Sequence, residues 1–235
     1  MTENVPNVEF WFDPICPWCW MTSRWATEVA QARGFKIAWH PMSLAILNEG
    51  NKGGRHSEGH RQGLRMGRIA VAAGRAHGAE IVGALYTEFG SRIHPGGRDD
   101  YDAIIAEALA TLALPSSLTE AADDASIDAE LRENTDHAME IAGPNVGVPV
   151  ISIDGVAFFG PVVTPAPTGD TALKLWDGIY AAASVPGFYE LKRGRTQGPP
   201  VLARLNACVF MSRPTMPASN LVSSCSSTCV PRDTR

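Results

Sequence analysis

The chain has 235 residues, 45% of them apolar, which is enough to bury one sizeable core or a domain carrying a large insertion. Its formal net charge of −5 offers no broad basic surface to nucleic-acid phosphates, and no apolar stretch approaches the roughly 20 residues that cross a bilayer, so neither nucleic acid nor a membrane is an expected partner. The segment from Met1 to Pro6 lacks the basic and apolar regions of an export signal, and a cytoplasmic protein is expected.

Residues 8–12 (Val-Glu-Phe-Trp-Phe) are aromatic-rich, partly alternating and followed by Asp13-Pro14, the pattern of a buried strand running into a turn. Pro17 suits the first position of a helix, and Met21, Trp25 and Val29 recur at four-residue spacing until Gly34 supplies a stop. Residues 36–42 read as a second strand, and a helical crossover between the two favours parallel pairing. From about 48 to 63 the apolar pattern lapses into a polar connection. Helices are expected over 64–77, 81–93 and 101–114, the last capped by Asp99 and Asp100. After the break at Leu114-Pro115, Ser117 and Glu120 have capping-box spacing for another helix, and a final one over 127–142 ends at Gly143-Pro144. Strands return at 148–153 and 156–159 around Asp154-Gly155, a hairpin signature, and a helix over 170–183 follows. From Gly198 onward the Ser-, Pro- and Arg-rich sequence has no period and is expected to be disordered. The chain thus divides into an α/β part at 1–47, an α-helical insertion at 48–144, the rest of the α/β part at 145–197, and a tail at 198–235.

Five cysteines are an odd number, and Cys208, Cys225 and Cys229 lie in the tail, so no disulfide framework is indicated. Cys16-Pro17-Trp18-Cys19 carries the chemistry. Two thiols one helical turn apart can close a disulfide, giving a two-electron couple. With Pro17 at the first helical position, the Cys16 sulfur is expected to face unpaired N–H groups and the positive end of the helix dipole, which favour a thiolate. Cys16 is therefore the expected nucleophile, and Cys19, further in, the thiol that resolves a mixed disulfide. Trp18 is expected at the rim, offering an apolar face to substrate. The competing reading is a zinc site that adds Cys225 and Cys229, but it asks a Ser-rich tail to return across the domain, and no metal is expected. Pro149 before a strand reads alone as an ordinary trans proline. Asn48, His56, His60 and His94 are further polar candidates, against the plainer reading of a turn former for Asn48 and of solvated surface for His56 and His60.

Taken together, Phe10-Trp11-Phe12-Asp13-Pro14 running into Cys16-Pro17-Trp18-Cys19-Trp20, then Thr22-Ser23-Arg24-Trp25, the stretch from Met42 to Glu49, Arg92-Ile93-His94, Val146-Gly147-Val148-Pro149 and Gly155-Val156-Ala157-Phe158-Phe159-Gly160-Pro161 resemble the DsbA-like oxidoreductases of the FrnE branch, and within it the mycothiol-dependent nitroreductases. The resemblance covers about residues 8 to 200. It implies an α/β thioredoxin fold with a large α-helical insertion, and a Pro149 that is cis and faces the cysteine pair. It implies no tightly bound cofactor, with mycothiol as thiol co-substrate, and a small nitroaromatic or disulfide acceptor. The acceptor would sit near Trp18, and Asn48 matches a position lining that pocket. Pro17, Trp18, Asn48, His94, Val148 and Pro149 are thus the expected substrate contacts, Cys16 and Cys19 the catalytic pair, and a homodimer is an open alternative to a monomer. Near His60 the chain has a Gly- and His-rich stretch where the resemblance leads one to expect a tyrosine, and the tail from about Val201 departs from the family. Three readings compete: a general DsbA-like disulfide oxidoreductase or isomerase, a glutathione-using isomerase on the same fold, against which the presence of Cys19 argues, and a zinc-stabilised binding module.

Overall fold

A computed structural model describes residues 5–50, 58–143 and 146–199. His56, Cys208, Cys225, Cys229 and the tail from residue 200 lie outside the described residues, and so does any zinc site built on the tail cysteines.

Strand β1 (Val8–Phe12) is the axis of the molecule, and its composition follows from its position. The sheet order places β1 between β2 (Ile37–Pro41) and β3 (Val150–Ile153), with β4 (Val156–Phe159) outside β3. A strand covered on both faces needs apolar residues at successive positions. Phe10 and Phe12 face Trp39, and Phe12 also stacks on Tyr86 at 3.9 Å, whereas Trp11 stacks on His40 at 4.7 Å. β1 and β2 run parallel from Val8 opposite Ile37 to Phe12 opposite Pro41, as the helical crossover requires; β3 is antiparallel to β1, with Trp11 opposite Val150. The expected hairpin joins β3 to β4 through Asp154 and Gly155, both at positive φ, as a tight two-residue turn demands.

Helix α1 (Pro17–Arg33) buries Met21, Trp25 and Val29 and stops at Gly34 in the left-handed conformation, whose N–H returns to the Ala30 carbonyl. Helix α7 (Gly169–Ala183) lies beside it: the Trp25 indole donates to the Ala172 carbonyl at 3.0 Å, and Arg33 pairs with Asp177. Between β2 and β3 come α2 (Leu44–Leu47), α3 (Glu58–His77), α4 (Glu80–Ile93), α5 (Tyr101–Thr111), two 3₁₀ segments (Ser116–Asp123 and Ala125–Ile127) and α6 (Asp128–Ala142). One buried cluster runs from the sheet and α1 into α3, α4 and α5.

The insertion departs from expectation in its detail. α3 begins at Glu58 rather than at 64, because its first turn is held by polar pairs instead of apolar spacing: Glu58 accepts from Gln62 and pairs with Arg61. α5 ends at Thr111, not 114; Ala113 turns left-handed at φ 52° and the Leu114 N–H closes onto the Leu109 carbonyl. Asp100 occupies the N-cap of α5 but its carboxylate is taken by Arg98 and caps nothing. The helix expected from Ser117 and Glu120 is 3₁₀, since Pro115 stands at its cap position and has no side-chain acceptor to offer.

Three glycines let the insertion press onto the α/β part. A Cβ on Gly83 or Gly90 of α4 would overlap the rings of Trp39 and Trp20, and one on Gly63 of α3 would lie 2.5 Å from Asp13 Oδ1.

Candidate active site

The motif sits where β1 hands over to α1. The Cys16 N–H donates to the Asp13 carbonyl at 3.0 Å, which closes the turn, and Pro17 then opens the helix, its missing N–H costing nothing there. The Cys16 carbonyl accepts from the Trp20 N–H. Cys16 is the N-cap residue, as expected, but its sulfur accepts no hydrogen bond from the first N–H groups of the helix, so the cap geometry differs from that reading. Both thiols are free; Cys16 is 6% exposed and Cys19 fully buried. Burial pushes the Cys19 thiol well above its ordinary value. Its hydrogen bond to Cys16, the Cys16 charge and the Asp13 carboxylate act in the same direction, against the backbone N–H of Asp13. The pair is asymmetric in burial: Cys19 is sealed completely and Cys16 nearly so.

Asp13 is the residue that the sequence reading passed over as a turn former. It is fully buried, with Oδ1 accepting from the Ile15 N–H at 2.9 Å and Oδ2 from the Leu44 N–H at 2.8 Å. Burial pushes its carboxyl up to about 6, while the two N–H donors oppose the shift. A titratable group poised near neutrality therefore stands directly under the cysteine turn, enclosed by Gly63.

Trp18 is not at the rim. It is 6% exposed, because the chain after α7 returns and lays the Arg195 guanidinium over its ring, 4.8 Å from the centroid; its indole Nε1 is buried without a hydrogen-bond partner. His94, the C-cap residue of α4, is also inside, at 4% exposure, rather than lining an open pocket. Its Nε2 donates to the Pro14 carbonyl at 3.1 Å and its ring stacks on Trp20 at 5.6 Å. Burial pushes the imidazole down to about 4, with Arg24 adding to the effect and the Pro14 carbonyl opposing it. At neutral pH it is a neutral brace for the loop.

Asn48 ends α2, and its Nδ2 donates to the Leu44 carbonyl at 2.7 Å. Leu44 thus gives its N–H to Asp13 and its carbonyl to Asn48, so both residues are tied to the backbone of Leu44. Val148 and Pro149 are buried, the peptide bond between them is cis as expected, and the Pro149 carbonyl accepts from Gly160. Pro17 is half-buried at the helix start, and His60 is half-buried on α3. Tyr86, also missed, is fully buried against Phe12 and Trp20, and its hydroxyl has no hydrogen-bond partner. Burial, then the Cys19 charge, push this phenol well up; the neighbouring Ser23 hydroxyl, which acts against the shift, donates to the Trp20 carbonyl instead. Arg24 lies 4.1 Å over the Trp20 ring and donates to Thr87. A cavity of about 500 Å³ opens among Glu58, Gln62, Arg65, Asp99 and Tyr101, but no motif residue lines it.

A cysteine pair at the first turn of a helix beside a buried carboxyl is able to support thiol–disulfide exchange. The family model described as Rv2466c-like, mycothiol-dependent nitroreductase Rv2466c, matches residues 15–193. The chain belongs to the Rv2466c-like family. A relative from Mycobacterium tuberculosis, the uncharacterized protein Rv2286c, is 30% identical over 196 residues, spanning 82% of this chain and 84% of its own. Among solved structures, DsbA of Chlamydia trachomatis superposes with a TM-score of 0.54 at 10% identity, over 79% of this chain and 91% of that one. A 2-hydroxychromene-2-carboxylate isomerase gives 0.50 at 18% identity, over 74% and 93%. At such identities these two establish the fold alone: a thioredoxin fold with an α-helical insertion. Family and fold together make this Rv2466c-like protein an oxidoreductase of the thioredoxin superfamily. No helix among the described residues is long and apolar enough to cross a membrane.

Proposed function

We propose that the protein is a cytoplasmic mycothiol-dependent reductase that carries electrons through Cys16 and Cys19 to a nitroaromatic or disulfide acceptor. The observation that carries this reading is the burial gradient within a dithiol placed at a helix start. A mycothiol thiolate attacks Cys16, the less buried of the two residues, in the oxidised enzyme. The Cys16–Cys19 bond breaks and a mixed disulfide forms at Cys16. The electron pair stays on Cys19, whose new charge is unfavourable in its buried site and is quenched by a proton, with the nearby Asp13 as donor. A second mycothiol releases Cys16 and leaves as mycothiol disulfide.

The dithiol then gives two electrons and two protons to the acceptor. A disulfide becomes two thiols, or a nitro group becomes a nitroso group and water. In this direction Asp13 takes the Cys19 proton as Cys19 closes onto Cys16. Pro17 fixes the helix start, Trp18, Asn48, Val148 and Pro149 are the proposed substrate contacts, and His94 acts by holding Pro14. Mycothiol is a co-substrate and no tightly bound cofactor is invoked.

The test is reduction of the oxidised protein by candidate thiols, with free Cys16 and Cys19 followed by mass. Rapid reduction by mycothiol, but not by glutathione or thioredoxin, is expected, and Cys16→Ser should abolish turnover. Preference for glutathione or thioredoxin would move the protein to a general DsbA-like reductase, and full thiol-dependent activity in Cys16→Ser would remove the redox role altogether.

A further inference from the structure

The segment that follows α7 was expected only to end the domain, yet it returns to the cysteine motif. Phe188 meets Phe158 of β4 edge to face at 6.0 Å, Arg195 lies on Trp18, and the Gly198 carbonyl accepts from the Thr164 hydroxyl at 3.3 Å. These three contacts fix the course of the chain past β4, Trp18 and the loop after β4. Thr164 belongs to the loop after β4, and that loop is tied to α1 by the Thr22 hydroxyl, which donates to the Pro161 carbonyl at 2.6 Å.

Most described arginines pair with carboxylates, as Arg33 does with Asp177 and Arg65 with Asp102 and Asp123. Arg195 and its neighbours Lys192 and Arg193 have no such partner among the described residues, although the chain as a whole is acidic. One face of the Arg195 guanidinium rests on the indole while the residue stays exposed, so its N–H edges are open to a ligand. Beneath it the Trp18 Nε1 is a second donor with no acceptor. The surface over Trp18 therefore presents a planar cationic fork with donors free of carboxylate partners. The matching ligand is a flat acceptor with two adjacent oxygens, and among the acceptor classes considered above a nitroaromatic has that shape.

We propose that Arg195, held in place on Trp18, is a substrate-binding residue that receives the nitro oxygens of the acceptor at the exposed edge of its guanidinium, a proposal that rests on the nitroaromatic reading of the site. Negative charge builds on those oxygens as electrons arrive, and a fixed guanidinium stabilises it more than water does. The step balances without another reductant. The Cys16 and Cys19 thiols lose two electrons and two protons as their disulfide forms; the nitro group takes both, and one oxygen leaves as water.

The experiment compares the full-length wild type with Arg195→Gln and Arg195→Lys, driven by mycothiol, using neutral 4-nitrobenzamide and neutral hydroxyethyl disulfide as acceptors. Loss of a charged hydrogen bond predicts a fall in kcat/KM for 4-nitrobenzamide of roughly 10-fold in Arg195→Gln, with both KM and kcat affected. The fall should be at least about fivefold larger than for hydroxyethyl disulfide, which has no oxygens to place there. Quenching of tryptophan fluorescence by 4-nitrobenzamide in the oxidised protein should weaken in parallel. Arg195→Lys should recover part of the loss or none, because an ammonium lacks the fork. Equal losses with both acceptors, faster nitro turnover in Arg195→Gln, or full recovery by Lys would each overturn the proposal. If the wild type turns over hydroxyethyl disulfide but does not bind 4-nitrobenzamide, the proposal falls while the thiol chemistry stands; if it accepts electrons from no mycothiol at all, the parent reading falls with it.

Discussion

Asp13 and His94 flank the same short loop and titrate with opposite consequences for stability. The Asp13 carboxyl is raised from 3.8 to about 6, so between these values the folded protein holds a proton that the unfolded chain has released. Its contribution is fully present below 3.8 and is lost as pH rises through 6; the buried carboxylate then costs about 3 kcal/mol. His94 is lowered from 6.5 to about 4. Its contribution is fully present above 6.5 and is lost as pH falls toward 4, again by about 3 kcal/mol. In the wild type the two nearly cancel over pH 4–6.5. Asp13→Asn removes one of them. An amide can still accept from one of the Ile15 and Leu44 N–H groups but faces the other with its own donor, a penalty of about 1–3 kcal/mol that does not vary with pH. The informative quantity is therefore the change with pH of the difference between variant and wild type. That difference should move against Asp13→Asn by about 3 kcal/mol between pH 7 and pH 4, and in favour of His94→Gln by a similar amount. Urea denaturation at intervals across this range measures it, as midpoint differences that change by about 1–3 M. A difference that stays constant with pH in either variant would refute the reasoning for that residue.

Three further outcomes follow from contacts around the motif. Gly63→Ala places a Cβ against Asp13 Oδ1 and should destabilise by about 1–3 kcal/mol, lowering the urea midpoint and slowing thiol-dependent turnover together; a fully active, equally stable variant would contradict the enclosure of Asp13 by α3. Tyr86→Phe deletes a buried hydroxyl that has no partner and should stabilise the fold by about 1 kcal/mol, read as a rise in Tm, whereas a loss would mean the hydroxyl is satisfied. Cys19→Ser removes the proposed resolving thiol and should accumulate a single mycothiol adduct on Cys16 after exposure to mycothiol disulfide, detectable by intact mass; an adduct that never builds up would argue against Cys16 as the attacked sulfur.

Much of the fold was legible in the sequence, because its strongest signals are local. The aromatic run at 8–12, Pro17 followed by Met21, Trp25 and Val29, and Asp154-Gly155 each fix an element through backbone preference or periodicity, and the structure has a strand, a helix and a hairpin there. The motif itself was equally plain, as a pair of cysteines spaced for one helical turn. What the sequence could not convey was the environment those cysteines inhabit. Asp13 followed by Pro14 has the composition of a surface turn, and only α3 packing over it turns a solvated carboxylate into a buried acid. Trp18 was misplaced for a related reason: its cover, Arg195, is far along the chain in a stretch without periodicity. His94 read as a polar candidate because burial is a tertiary property that its local Arg-Ile-His context does not encode. The start of α3 was missed because polar pairs rather than apolar spacing hold its first turn.

The three close glycine contacts also bear on whether the protein is modular. In the chain the helices between β2 and β3 interrupt the sheet-forming segments, which invites the idea of a detachable attachment that engineers could trim or exchange. Gly63, Gly83 and Gly90 meet Asp13, Trp39 and Trp20 too closely for that. A shortened chain joined across the gap would leave Phe12, Trp20 and Trp39 facing water where Tyr86 and its helix now cover them, at about 1.5–3 kcal/mol for each large side chain uncovered. Set against the roughly 5–15 kcal/mol that typically separates folded from unfolded domains, that is a large share of the margin. The α/β half and its helical cover pack against each other too closely to be parted cheaply, and variation between relatives should be sought in the loops that join the helices rather than in their removal.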